Sequence, residues 1–205
     1  MIRHLIWDFD GSLFNTYPAM VQLFKSSLES FGYEATEDDI LSLMKDTLGR
    51  AVSFYIDLGV DEGFYKLFQK LEDEVAPGLQ PPFPNAKEIC TMIKDRGGKN
   101  IIITHRSRKS VFKLLYHYSM EALFSEIIAK ESGFKRKPHP EAFVSTLASQ
   151  RLKPEEVLTI GDRDLDVIAA SDAGTRTCFF SQNGSRPSIK VDYLITYLSE
   201  LLEIL

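Results

Sequence analysis

The 205-residue chain is 44% apolar and 26% charged, with a formal net charge of -5, the profile of a globular protein long enough to bury a sizeable core. The negative balance, with no basic stripe to offset it, argues against nucleic acid or an anionic membrane as a partner; the "KRK" at Lys135 to Lys137 is too short to make a patch. No apolar run reaches the ~18 residues that a membrane helix requires, and the apolar opening is too short for a signal peptide.

The two cysteines, Cys90 and Cys178, lie far apart. They are expected as small buried hydrophobes in a reduced, cytoplasmic setting rather than as a disulfide.

In chain order, the first element is "HLIWDF", a short apolar run that predicts a strand and ends on Asp8 and Asp10. From Thr16 to about Leu79 only helical periodicity is found: "YPAMVQLFKSSLESFGY", "TEDDILSLMKD", "GRAVSFYIDLG" and "DEGFYKLFQKLEDEVA". Thr36 and Asp39 match a capping box loosely, with Asp in place of Glu or Gln. The proline-rich "PGLQPPFP" closes this stretch as a linker.

A rhythm of strand and helix then sets in. "PNAKEICTMIKDRGG" places Ala86, Ile89, Cys90 and Ile93 on one helical face and stops at Gly97 and Gly98. Strands are predicted at "KNIIIT" (Lys99 to Thr104), "EIIAK" (Glu126 to Lys130), "EVLTIG" (Glu156 to Gly161) and "TRTCFF" (Thr175 to Phe180). The near-continuous apolar character of most of these runs is that of strands buried on both faces of a parallel sheet. The C-terminal "YLITYLSELLEIL" reads as an amphipathic helix packed on the domain. The expected fold class is therefore α/β, a doubly wound parallel sheet, with residues 1–15 and 80–205 as the core and residues 16–79 as an inserted all-helical domain.

Polar residues fall where such a sheet places its chemistry, at the carboxyl ends of strands. Asp8 and Asp10 close the first strand and Thr104 the second; Lys137 lies in a loop after the third; Asp162 and Asp166 follow the fourth. "DRDLD" mimics the start of a calcium loop, but Val167 and Ala173 stand where that loop needs Gly and Glu, so Asp164 reads as a helix N-terminal residue. Trp7 reads as core and His139 as a helix-start residue.

Four motifs in order, "DFDGSLFNT", "IIITHRS", "KRKPHPEAF" and "IGDRDLDVIAASDAG", resemble those of the haloacid dehalogenase-like superfamily. The helical insert is similar to its type 1 cap, and the "KPxP" loop and the "GDxxxDxxxAxxAG" ending are most similar to the branch holding phosphoglycolate phosphatase and β-phosphoglucomutase. The resemblance implies that Asp8 is a nucleophile forming an aspartyl phosphate. Asp10 would serve as general acid and then base, its pKa raised by the charge of Asp8 and by partial burial. An Asp nucleophile with an ordinary pKa near ~4 is ionised at neutral pH and needs positioning rather than a base.

The same resemblance implies a magnesium ion held by Asp8, the backbone carbonyl of Asp10, and Asp162, with Asp166 orienting metal-bound water or Lys137. Lys137, selected from its basic neighbours by the adjoining Pro138, supplies positive charge beside the phosphoryl group. Thr104 brings a hydroxyl, and His105, Gly11 and Ser12 bring backbone amides to the phosphoryl oxygens. His105 stands where many relatives carry Asn, and its side chain either touches substrate or orients the loop. Arg50 lies where type 1 caps place a specificity loop; a solvated helix-start arginine is the alternative.

Three functions follow from these residues. The first is a magnesium-dependent phosphatase acting on a small phosphorylated metabolite, phosphoglycolate-like or sugar-phosphate-like. The second is a phosphomutase resembling β-phosphoglucomutase, against which Met20 counts, since such mutases usually carry His there. The third is a catalytically silent module that binds a phosphorylated ligand or a protein. The second Asp of "DxD" disfavours the dehalogenase, phosphonate-cleaving and ion-pump branches. The sequence specifies no oligomeric state.

Overall fold

The computed structural model describes Met1–Leu205. The chain divides into two compact units, one of residues Met1–Asn15 with Pro81–Leu205 and one of Thr16–Gln80.

The first unit is built on a six-stranded parallel sheet: β1 (His4–Trp7), β2 (Asn100–Ile103), β3 (Phe124–Ile128), β4 (Val157–Gly161), β5 (Arg176–Phe180) and β6 (Tyr193–Ile195), in the order β3-β2-β1-β4-β5-β6. β1 is central, with Ile6 opposite Ile101 on β2 and Thr159 on β4. The alternation of the pleat sends successive side chains to opposite faces. Leu5, Trp7, Ile102, Leu158 and Ile160 pack with α5 (Ala86–Asp95), α6 (Arg108–His117) and the short α9 (Leu201–Ile204). Ile6, Ile101, Ile103 and Val157 pack with α7 (Glu141–Gln150) and α8 (Asp164–Asp172). Both faces are covered, which is why these strands read as continuous apolar runs.

A buried amide ties one layer to the sheet. Asn100 donates to the carbonyls of Cys90 and Leu123 and accepts from Trp7 Nε1. Cys90 and Cys178 are buried free thiols, and burial pushes both upward in pKa, Cys178 to about 12, so neither is a ready thiolate.

The second unit holds α1 (Tyr17–Glu29), α2 (Glu37–Asp46), α3 (Leu48–Asp57) and α4 (Gly63–Glu74). Thr36 caps α2 by accepting from the Asp39 amide, and Thr47 caps α3 by accepting from the Arg50 amide. The small core of this unit is centred on Phe24, whose ring meets those of Tyr55, Phe64 and Phe68 at 5.3–5.8 Å, distances at which tilted aromatic pairs attract.

Two readings of the sequence are corrected. The C-terminal "YLITYLSELLEIL" is not one helix: Tyr193–Ile195 forms β6, paired in parallel with Cys178–Phe180 of β5, and only Leu201–Ile204 is α-helical. A three-residue strand is too short to show period-2 alternation against a helical background, so pairing rather than pattern decides it. The third strand runs from Phe124 to Ile128, two residues ahead of the expected span, and its register against β2 shifts between Asn100 and Ile101. No helix is long and apolar enough to cross a membrane.

Candidate active site

The carboxyl ends of β1, β2 and β4 deliver the polar residues to one place. The Asp8 amide donates to the Ile160 carbonyl, and the Thr104 amide donates to the Ile128 carbonyl. Each residue thus continues a strand ladder by one step and inherits its rigidity. Asp8, Thr104, Lys137, Asp162 and Asp166 are all buried.

Lys137 organises the centre. Its Nζ donates to Asp8 Oδ1 at 2.5 Å and to the Ile103 carbonyl at 2.9 Å, and lies 2.5 Å from Asp166 Oδ1. Burial alone pulls a lysine toward neutrality, but the charges of Asp166 and Asp8 outweigh it and raise the Lys137 pKa. Burial pushes Asp8 upward and the Asp166 charge adds to this, bringing it to about 6. Burial acts the same way on Asp166, but there Lys137 and Arg163 prevail and hold it below its usual value. The Asp8 carboxyl is thus displaced upward from its ordinary value while its neighbour Asp166 is displaced downward, because the two share the Lys137 ammonium.

Asp8, Asp162 and Asp166 bring their carboxylate oxygens within 4.8 Å of one another. Asp8 Oδ2 and Asp166 Oδ2 are buried yet accept no hydrogen bond, which is costly unless a cation faces them. Buried carboxylates offering an all-oxygen donor set suit a hard divalent cation. Gly161 makes this packing possible, since a Cβ there would lie 2.4 Å from Asp166 Cβ.

Asp10 meets a partner that sequence reasoning missed. Arg106 Nη1 lies 2.5 Å from Asp10 Oδ1. Arg106 Nε donates to Ser110 Oγ, its amide donates to Thr104 Oγ1, and its guanidinium sits 5.9 Å from the Phe9 ring centroid. Asp10 therefore faces a cation directly, where the sequence suggested only the anionic influence of Asp8. Arg163 was also missed, although it adjoins Asp162 in the quoted motif; it lies within 4 Å of Asp8, Asp162 and Asp166. The only signal for either arginine was its place beside a motif residue.

The loop residues divide. Gly11 turns the chain at φ +83°, and its amide donates to the Phe14 carbonyl at 2.9 Å. The Gly11 amide is thus engaged within its own loop, and the positive φ is one that glycine adopts without strain. Ser12 Oγ is buried without a hydrogen-bond partner. The His105 ring accepts from the Lys137 amide through Nε2 at 3.0 Å. Nε2 is therefore unprotonated and the proton sits on Nδ1. Burial, with Lys137 next, pushes the His105 pKa down to about 3, which favours the neutral ring that accepts from the Lys137 amide.

Arg50 belongs to the helical unit. Its Nε pairs with Asp46 Oδ2 at 2.9 Å, with the side chain 66% exposed. Met20 is buried in the core of the same unit.

The strand order is that of a dinucleotide-binding sheet, but this sheet presents buried carboxylates and a buried lysine at its carboxyl edge. The profile of the haloacid dehalogenase-like hydrolases matches residues 5–180, and the chain belongs to that family.

It is similar to pyrophosphatase PpaX of Bacillus mycoides, 26% identical over 209 residues that span all of this chain and 97% of the relative. Among solved structures it is similar to a protein of Haemophilus somnus described as a phosphoglycolate phosphatase, with TM-score 0.84, 24% identity and coverage of 99% and 97% of the two chains. It is also similar to one from Bacteroides fragilis described as a haloacid dehalogenase-like hydrolase, with TM-score 0.83, 27% identity and coverage of 98% and 100%. By family the chain is a haloacid dehalogenase-like hydrolase.

Proposed function

We propose that the protein hydrolyses a small phosphorylated metabolite through an aspartyl phosphate on Asp8, with a magnesium ion at Asp8, Asp162 and Asp166. The observation that carries this reading is the Lys137 ammonium within 2.5 Å of both Asp8 and Asp166. A nucleophilic carboxylate needs a fixed positive charge beside it to receive a phosphoryl dianion. The carboxylate of Asp8 attacks phosphorus and the bond to the leaving oxygen breaks. Asp10 gives its proton to that oxygen. Asp10 then takes a proton from water as the water attacks phosphorus, which frees inorganic phosphate and restores Asp8.

Thr104 and the amides of Ser12 and His105 are the further donors in this reading, and Lys137 holds its charge throughout. The Asp10 carbonyl joins the metal ligands by resemblance. A bound magnesium ion supplies charge neutralisation for the phosphoryl oxygens. A related structure, YfnB of Bacillus subtilis, is described as bound to magnesium, which supports the choice of metal. The helical unit acts as a cap that selects substrate, with Arg50 as a specificity residue.

The relatives carry the names pyrophosphatase, phosphoglycolate phosphatase and β-phosphoglucomutase, and these set the test panel. Purified protein is assayed for phosphate release from pyrophosphate, phosphoglycolate, sugar phosphates and nucleoside monophosphates, with magnesium and with chelator, and with D8N as control. One preferred substrate, with activity lost to chelator and to D8N, is the expected result. Full activity in D8N would overturn the nucleophile. Isomerisation of a sugar phosphate without release would favour a mutase, a reading that Met20 opposes.

A further inference from the structure

The three carboxylates of the cluster face two cations that divide their oxygens. Lys137 Nζ lies 2.5 Å from Oδ1 of both Asp8 and Asp166. Arg163 approaches from the other side, with Nη2 3.7 Å from Asp8 Oδ2 and Nε 3.5 Å from Asp166 Oδ2 and 3.8 Å from Asp162 Oδ1. Its side chain is 13% exposed, so solvent screens these charges little.

The distances matter. At 3.5–3.8 Å the guanidinium lies within ion-pair reach of all three carboxylates. The oxygens it faces on Asp8 and Asp166 are among those that accept no hydrogen bond. Three carboxylates against Lys137 alone would leave a large uncompensated charge in a buried site, which is severely unfavourable. A divalent cation held by the same three carboxylates would be repelled by a guanidinium this near to them.

We propose that Arg163 is the built-in counter-ion of the cluster: it holds the three carboxylates together in the metal-free protein and is displaced when a divalent cation binds. Arg163 is on this view a positioning residue that sets metal affinity. It weakens metal binding while stabilising the protein that awaits it. The inference rests on the reading that the cluster holds a metal.

The test uses chelator-stripped wild type and R163Q, titrated with magnesium chloride in the absence of substrate, by calorimetry and by thermal melting. Removing a neighbouring like charge should tighten magnesium binding about tenfold or more. It should also lower the metal-free melting temperature and enlarge the upward shift that magnesium produces. Unchanged or weaker magnesium affinity in R163Q, as expected of a guanidinium that serves only the substrate, overturns the proposal. A wild type that takes up no magnesium overturns the metal reading instead, and that result is seen before the variant is compared.

A second measurement needs no variant. The Arg163 Nε–H resonance of the wild type, followed by NMR on adding magnesium, should shift and exchange faster with solvent. A resonance that does not respond while magnesium binds overturns the displacement.

Discussion

Arg106 and Asp10 are held together across 96 positions of sequence, Nη1 to Oδ1 at 2.5 Å, with side chains 3% and 18% exposed. The residue assigned to proton transfer is thus locked by a cation that Ser110 anchors in turn. Removing one partner of a buried pair leaves the other charge uncompensated, at a cost of about 3 kcal/mol. R106L should therefore destabilise the protein by roughly that amount in urea unfolding. D10N should offset part of the loss, giving a coupling energy of about 1–3 kcal/mol in the double-mutant cycle. Strict additivity of the two variants would show that the pair does not interact.

Lys137 compensates both Asp8 and Asp166, so K137M should fail twice. Turnover should fall at least ~10²- to 10³-fold, the usual loss when a fixed charge at a reacting centre is removed. Stability should fall by about 3–5 kcal/mol because two buried carboxylates lose their counter-ion. Activity assays beside denaturant titrations separate the two effects. A stable K137M with normal turnover would contradict the geometry.

His105 should stay neutral well below the usual range, as the Nδ1–H tautomer, and ring ¹⁵N shifts recorded from pH 7 to pH 4 would show this. The sign for stability follows. The folded pKa of about 3 lies below the unfolded value of 6.5, so the unfolded chain binds more protons between these values and stability falls as pH falls through that window. The contribution is complete above about pH 6.5. H105Q, which keeps an acceptor for the Lys137 amide, should show a shallower loss of stability between pH 6.5 and 4. An identical slope would mean that His105 titrates normally.

Gly161 has no room for a side chain beside Asp166, so G161A must push the start of α8 away from β4 or displace the Asp166 carboxylate. A cost of about 1–3 kcal/mol is expected from overpacking. Activity should fall further than stability, because the contact of Asp166 with Lys137 is the part displaced. Wild-type melting and turnover in G161A would show that the approach can relax.

The fold was legible because its signals are local. β1, β2 and β4 are apolar runs that end on charged or hydroxyl residues, and the helices of residues 17–74 carry caps such as Thr36 and apolar faces such as that of Phe24. β6 was hidden for the converse reason. Three residues with no alternation become a strand only because β5 offers an unpaired edge.

At the site the same division holds. The residue types at Asp8, Asp10, Thr104, Lys137, Asp162 and Asp166, each at a strand end or in the following loop, were readable one by one, since strand ends are set by the local pattern. Which charge stands against which was decided by tertiary structure alone. Parallel pairing of β1 with both β2 and β4 brings Arg106 to Asp10 and Arg163 to Asp8, and turns His105 toward the Lys137 amide. Electrostatic energy depends on distance in space and on burial, and neither exists until the sheet has formed.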